Sequence, residues 1–187
     1  MTLNTISLKS WRNFSQKEFS FHPEINVISG ENGIGKTNLL EAVFYLSCCR
    51  GLPGAKESDL INFEDSQSEI KAEFQSGSRE QNISVLLKRN TRRSLWLNHA
   101  PISSPRLIMG VLPAVFFRPE DLLLLRGGAS VRREYMDLAL CQMRPLYVEK
   151  RAVWRCVTPT RTNREKMHQS RHHWPVQLAA LVHQGST

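Results

Sequence analysis

The stretch that decides the fold is INVISGENGIGKTNLLEAVFYLSCC, Ile25 to Cys49. Its middle, Gly30-Glu31-Asn32-Gly33-Ile34-Gly35-Lys36-Thr37, satisfies the pattern G-x-x-x-x-G-K-[ST]. A helix start carries unpaired backbone N–H groups and the positive end of the helix dipole. A glycine loop that wraps amides around such a start is therefore suited to phosphate. Glycine is required there because a Cβ would block the approach. In this pattern the lysine, Lys36, reaches the β/γ-phosphates and the Thr37 hydroxyl ligates Mg²⁺. The flanks agree: a short β-rich run, Asn26-Val27-Ile28-Ser29, precedes the loop, and Leu39, Val43 and Leu46 recur at helical spacing after it, with Leu40 and Phe44 in a second apolar row. A strand, a phosphate loop and a helix are predicted in that order, with ATP and Mg²⁺ as ligands.

A chain of 187 residues with 41% hydrophobic content can bury one sizeable core. No segment approaches twenty consecutive apolar residues, and the N-terminus alternates polar and apolar from the start. A cytoplasmic protein without membrane contact is expected. Cys48, Cys49, Cys141 and Cys156 form no paired C-x-x-C spacing, so reduced structural thiols are expected rather than a zinc site. His168 and His172 are four apart, but Gln169 stands where a zinc-protease helix needs glutamate.

The formal charge of +8 points to an acidic partner, with nucleic acid ahead of membrane because no basic amphipathic helix is present. Its distribution is uneven. From Lys150 to Thr187 there are seven Lys/Arg residues against Glu165 alone, which leaves the rest of the chain nearly neutral.

Along the chain, Ile6 and Leu8 alternate with polar residues, as do Phe19 and Phe21 after the turn-like Arg12-Asn13-Phe14-Ser15, predicting two strands ahead of the loop. The helix after the loop is expected to stop near Arg50-Gly51-Leu52-Pro53-Gly54. Ile70, Ala72 and Phe74, then Ile83, Val85 and Leu87, predict a β-hairpin turning at Ser76-Gly77-Ser78, and Leu95 and Leu97 predict a third strand. Ala114-Val115-Phe116-Phe117 reads as a buried strand stopped by Pro119. Ser130 is expected to cap a core-packed helix that ends at Pro145. After about Glu149 no period is sustained, so residues 148–187 read as a basic, poorly structured tail, with a nucleic-acid arm over Arg151 to Arg171 as the alternative.

Three segments carry a resemblance: LKSWRNF (Leu8–Phe14), GENGIGKTNLLEA (Gly30–Ala42) and VFFRPEDLLLLRGGASVRREYMD (Val115–Asp137). Together they resemble the RecF family, bacterial DNA-repair proteins of the SMC/ABC-type ATPase class. The third segment, Phe-x-Pro-Glu-Asp-Leu followed by an Arg-Arg helix, is the most discriminating, and the resemblance runs from Met1 to about Tyr147. It implies an α/β, ABC/SMC-type P-loop nucleotide-binding lobe over residues 1–147, with an antiparallel hairpin region and a helical segment, incomplete at the C-terminus. It further implies an ATP-binding, DNA-associated protein of recombinational repair at gapped or single-stranded DNA, replication restart and the SOS response. Other recombination-repair proteins and an ATP-dependent homodimer are the implied partners.

By the same resemblance Gly30 through Thr37 hold the ATP phosphates and Arg12 lies near the nucleotide. Glu120 falls where relatives place a γ-phosphate-sensing loop, and Arg50, Lys56, Arg132 and Arg133 are implied DNA or partner contacts. The class also implies a downstream acidic strand and a Ser-Gly-rich signature loop for hydrolysis, neither of which is found. Phe116-Phe117-Arg118-Pro119-Glu120-Asp121 is the nearest imitation, interrupted by Arg and Pro. Binding without turnover is therefore expected. The tail reads as an aberrant, out-of-frame end, with a native short variant as the competing account. A small-molecule P-loop kinase and a non-catalytic nucleotide-binding module are the alternative functions.

Overall fold

The computed structural model describes residues 1–52, 55–126, 128–144 and 147. The tail at 148–187, with Cys156, His168, His172 and the proposed arm, lies outside the described residues, as do the side chains of Glu120 and Leu123.

Strands β1 (Thr2–Trp11) and β2 (Phe14–Ser20) form a hairpin through the tight turn at Arg12-Asn13. The phosphate-loop segment then leads into helix α1 (Lys36–Cys48), followed by the single turn α2 (Glu57–Leu60). Strands β3 (Gln67–Ser76), β4 (Arg79–Lys88), β5 (Ser94–Leu97) and β6 (Ala100–Ile102) follow, and then α3 (Leu123–Arg126) and α4 (Ala129–Met143). The described strands make one antiparallel sheet in the order β2-β1-β3-β4-β5-β6. The predicted hairpin is β3–β4, with Ile70 opposite Val85 and Ala72 opposite Ile83, and the predicted third strand is β5. Alternation places Ile70, Ala72 and Phe74 of β3 and Ile83, Val85 and Leu87 of β4 on one face, where they pack in a single core with Ile6 and Leu8 of β1 and Leu39, Val43 and Leu46 of α1. An irregularity in pairing between Leu3 and Thr5 lets both Leu3 and Ile6 turn inward despite their odd spacing.

Every residue of α1 from Leu39 to Cys48 is buried, so this helix is covered on all sides. The sheet covers one side. Elsewhere the ring of Phe44 lies 5.7 Å from that of Phe116, and α4 also touches α1. The C-terminal end arrives where expected: Cys49 takes a left-handed conformation and its N–H donates to Tyr45 O at 2.7 Å.

Four expectations need correction. Asn26–Ser29 is not a strand, because the Asn26 amide accepts from His22 N and donates to His22 O, closing a local turn, and no described strand offers it a ladder. Ile25 and Val27 are accordingly 78% and 84% exposed. Ala114–Phe117 is not a buried strand either. The Ala114 N–H donates to the Gln142 side chain, the Arg118 N–H donates to Asp121, and Val115 and Phe117 are 58% and 64% exposed. Gly128 rather than Ser130 is the N-cap of α4. That helix is also not core-packed along its length: Val131, Tyr135 and Met136 are exposed, and only Cys141 among its described side chains is buried. Among the described residues no helix is long and apolar enough to cross a membrane.

Candidate functional site

The loop ahead of α1 depends on backbone that only glycine adopts readily: Gly30, Gly33 and Gly35 have φ of 152°, 86° and 108°. Gly35 is doubly constrained, since a Cβ there would stand 2.7 Å from Asn13 Oδ1 and 2.7 Å from Phe14 Cζ. Lys36 opens α1 and folds back along the loop, its Nζ donating to the carbonyls of Gly30 at 2.7 Å and Glu31 at 2.8 Å. The ammonium is thus held over the loop by the loop's own backbone. No side chain caps this end of α1, and its first turn carries no acidic residue, so the helix N-terminus keeps its partial positive charge uncompensated. Thr37 is exposed in that first turn, and Glu31, Asn32 and Ile34 are exposed along the loop.

Arg12 does not point along the loop. Its Nε and Nη2 form a two-pronged pair with Glu41 Oε2 and Oε1 at 2.9 and 3.0 Å, and its Nη1 donates to Asp59 O at 2.9 Å. Glu41 is buried within α1 and also accepts from Leu52 N at 3.0 Å. The pair therefore ties the β1–β2 turn, the middle of α1 and the segment leading to α2 into one unit. It is Asn13, next to Arg12, that reaches the loop: its Nδ2 donates to Ile34 O at 3.0 Å, and its Oδ1 accepts from Asn38 Nδ2 at 2.8 Å. Trp11 supports the same turn by donating from Nε1 to Asn38 O at 2.8 Å.

A second polar cluster sits at the far end of α1. The hydroxyl of Tyr45 donates to Glu57 Oε1 at 2.8 Å and accepts from Arg93 Nη1 at 2.9 Å. Arg93 also pairs with Glu57 and donates to Cys49 O at 2.8 Å. Burial pushes the Tyr45 phenol well above its ordinary range despite the nearby guanidinium, so it stays a neutral donor. This cluster fastens α2 and the segment before β5 to the end of α1.

Of the basic residues read as DNA or partner contacts, Arg50 is bonded to Glu134 of α4 at 2.8 Å and Arg133 donates from Nε to Ala129 O. Lys56, Arg132 and Arg133 are exposed. Asp121, the nearest candidate for an acidic strand end, is engaged in its own turn: it accepts from Arg118 N at 2.8 Å and pairs with the Arg118 guanidinium at 3.4 Å. The sequence reading missed Asn13, Asn38, Glu41 and the Tyr45–Glu57–Arg93 cluster. Glu41 alone left a signal, an isolated acid inside the apolar pattern Leu39-Leu40-Glu41-Ala42-Val43, which calls for a buried basic partner.

Comparison with known proteins gives the family. The chain is 33% identical over 148 residues to the DNA replication and repair protein RecF of Agathobacter rectalis, covering 79% of this chain and 41% of that protein. The solved RecF–ATP structure of a recombination mediator protein in the RecFOR pathway superposes with a TM-score of 0.79 at 29% identity, covering 83% of this chain and 42% of that one. An SMC ATPase structure shares the fold at a TM-score of 0.60 and 18% identity. The chain thus spans about two-fifths of the length of the RecF proteins it matches. Residues 2–131 match the RecF/RecN/SMC N terminal domain, so the chain belongs to that family and corresponds to the N-terminal region of RecF.

Proposed function

We propose that residues 30–37 bind the phosphates of ATP in a RecF-type protein of DNA replication and repair. The observation that carries this reading is the Lys36 ammonium, fixed over a three-glycine loop by two of its carbonyls beside an uncapped helix N-terminus. The relatives support it, since RecF has been solved with ATP. Mg²⁺ fits as an ion that arrives with the nucleotide. Among the described residues no group of three His, Cys, Asp or Glu could hold a metal alone, and Mg²⁺ usually keeps several waters and shares phosphate oxygens with few protein ligands. The Thr37 hydroxyl is the protein ligand in this reading, and the ion supplies charge neutralisation at the phosphates. Arg12 acts at one remove by bracing α1 through Glu41.

In the cell the proposed setting is the cytoplasm, with gapped or single-stranded DNA, other recombination-repair proteins and a second RecF-type protomer as partners. Lys56, Arg132 and Arg133, with Arg50 beside its partner Glu134, are the exposed candidate positions through which the lobe would meet DNA. Nucleotide binding without turnover is the proposed behaviour of this chain alone. Phosphoryl transfer needs charge positioned around the metal and the attacking water, and the Asp121 carboxylate is spent within its own turn.

Calorimetric titration with ATP and Mg²⁺ tests the assignment. Lys36→Ala removes the one charge aimed at the phosphates and leaves α1 free to form, so most ATP affinity is lost while the circular dichroism spectrum is retained. Unchanged affinity in a folded Lys36→Ala protein would sink the phosphate-loop reading.

A further inference from the structure

We propose that Asn13 is a positioning residue of the phosphate loop, an inference that rests on the ATP reading above and deepens it. The loop needs its amide N–H groups turned into one concavity, and the peptide plane between Ile34 and Gly35 is the last hinge before α1. Asn13 holds that plane by its carbonyl: Nδ2 donates to Ile34 O at 3.0 Å, so the carbonyl faces the β1–β2 turn and the following N–H faces away from it. The other end of the same amide accepts from Asn38 Nδ2 at 2.8 Å, which fixes the side chain's orientation and ties it to the first turn of α1. A carboxamide supplies a donor and an acceptor from one short, planar, uncharged group.

Two further observations make this a built contact. Gly35 approaches Asn13 so closely that a Cβ would meet Oδ1 at 2.7 Å and Nδ2 at 2.8 Å, so the amide and the loop are packed against each other. The turn that carries Asn13 is itself anchored. Arg12 is locked to Glu41 and Asp59 O, Arg12 N donates to Leu60 O at 2.8 Å, and Trp11 donates to Asn38 O. With no side chain capping α1 at Gly35, Asn13 and Trp11 are side chains of the hairpin that set this end of the helix against the sheet, and Asn13 is the one bonded to the loop. The preorganisation of the loop thus comes from a residue outside the loop motif, on the hairpin that precedes it.

The test uses the full chain and compares its affinities for ATP with Mg²⁺ and for AMP, together with thermal unfolding, for Asn13→Asp, Asn13→Ala, Asn38→Ala and Lys36→Ala. Asn13→Asp keeps the bond from Asn38 but loses the donor to Ile34 O and sets a carboxylate charge beside the loop, so its effect is read against the uncharged Asn13→Ala, which must show the same ATP-selective loss. Asn13→Asp is expected to weaken ATP binding by roughly tenfold, about one hydrogen bond's worth of order in the loop, with AMP binding little changed. Asn38→Ala loosens the amide without removing it and should give a smaller loss in the same direction. A role in stability alone would lower both affinities together, in step with the melting temperature. That result, or ATP affinity within twofold of the parent in folded Asn13→Asp, overturns the proposal. Lys36→Ala separates the two claims: if it loses ATP while Asn13→Asp does not, the phosphate loop stands and the role of Asn13 falls. If Lys36→Ala binds ATP normally, both fall.

Discussion

At the scale of single residues, the buried carboxylate of Glu41 carries the strongest consequence. It lies within a helix whose neighbours are apolar, and its charge is matched by the Arg12 guanidinium and one backbone N–H. Removing one partner of such a pair leaves an uncompensated buried charge, which for fully buried pairs costs about 3–5 kcal/mol. Arg12 is one-quarter exposed, so water screens part of the interaction and the lower end of that range is expected for Arg12→Ala. The loss should appear as a fall in the urea midpoint. Adding Glu41→Gln to Arg12→Ala removes the stranded charge and should restore part of the midpoint, whereas a purely steric role for Arg12 predicts no recovery.

At the scale of the element, α1 joins the phosphate loop at one end to the Tyr45–Glu57–Arg93 cluster at the other. Its last turn holds two thiols whose acidity burial suppresses: Cys48 is pushed up to about 11 and Cys49 to about 12, from an ordinary 9.0. The neighbouring Tyr45 phenol shifts in the same direction for the same reason. In each case the folded state holds its proton more tightly than the unfolded chain. Stability from these groups is therefore complete below about pH 9 and is lost as pH rises towards the folded values, because the unfolded state ionises first. Urea midpoints should decline steeply between about pH 9 and 11, and Cys49→Ala should show a shallower decline than the parent. Equal slopes for the two proteins would mean that these thiols do not set the alkaline limit.

At the scale of the molecule, the described lobe is one antiparallel sheet with α1 laid on its core face, and the charge that could attract nucleic acid is concentrated beyond it. Residues 150–187 hold seven basic side chains against one acid. A chain ending at Tyr147 should therefore keep its ATP affinity within a few-fold, because the loop, the β1–β2 turn and α1 are all retained. DNA binding by that shorter chain should be weak and should fall with salt less steeply than that of the full chain, since its basic side chains are nearly balanced by acidic ones and fewer phosphates would be neutralised. Fluorescence anisotropy with gapped DNA across a salt series, on both lengths, checks this. Tight binding by the shorter chain that persists at high salt would place a DNA site within the lobe itself.

The sequence by itself determined the elements whose signals are local. The glycines at 30, 33 and 35 with Lys36 specify a loop because the backbone there needs left-handed or otherwise glycine-favoured φ. The alternation in β3 and β4 specifies the hairpin because a period of two admits only one buried face. The apolar rows of α1 specify a covered helix in the same way. What depends on partners distant in the chain was decided only by the tertiary structure. Asn26–Ser29 and Ala114–Phe117 read as strands from their β-branched and aromatic residues, yet a strand exists only where a neighbour supplies the ladder; no described strand pairs with either segment, and the Ala114 N–H goes to the distant Gln142 side chain instead. The family resemblance puts Arg12 near the nucleotide, and the structure adds that the buried Glu41, 29 residues away, pairs with its guanidinium. Asn13 reaches Ile34, 21 residues on, because the turn of the first hairpin folds back over the start of α1, a juxtaposition that long-range packing creates and no local pattern encodes.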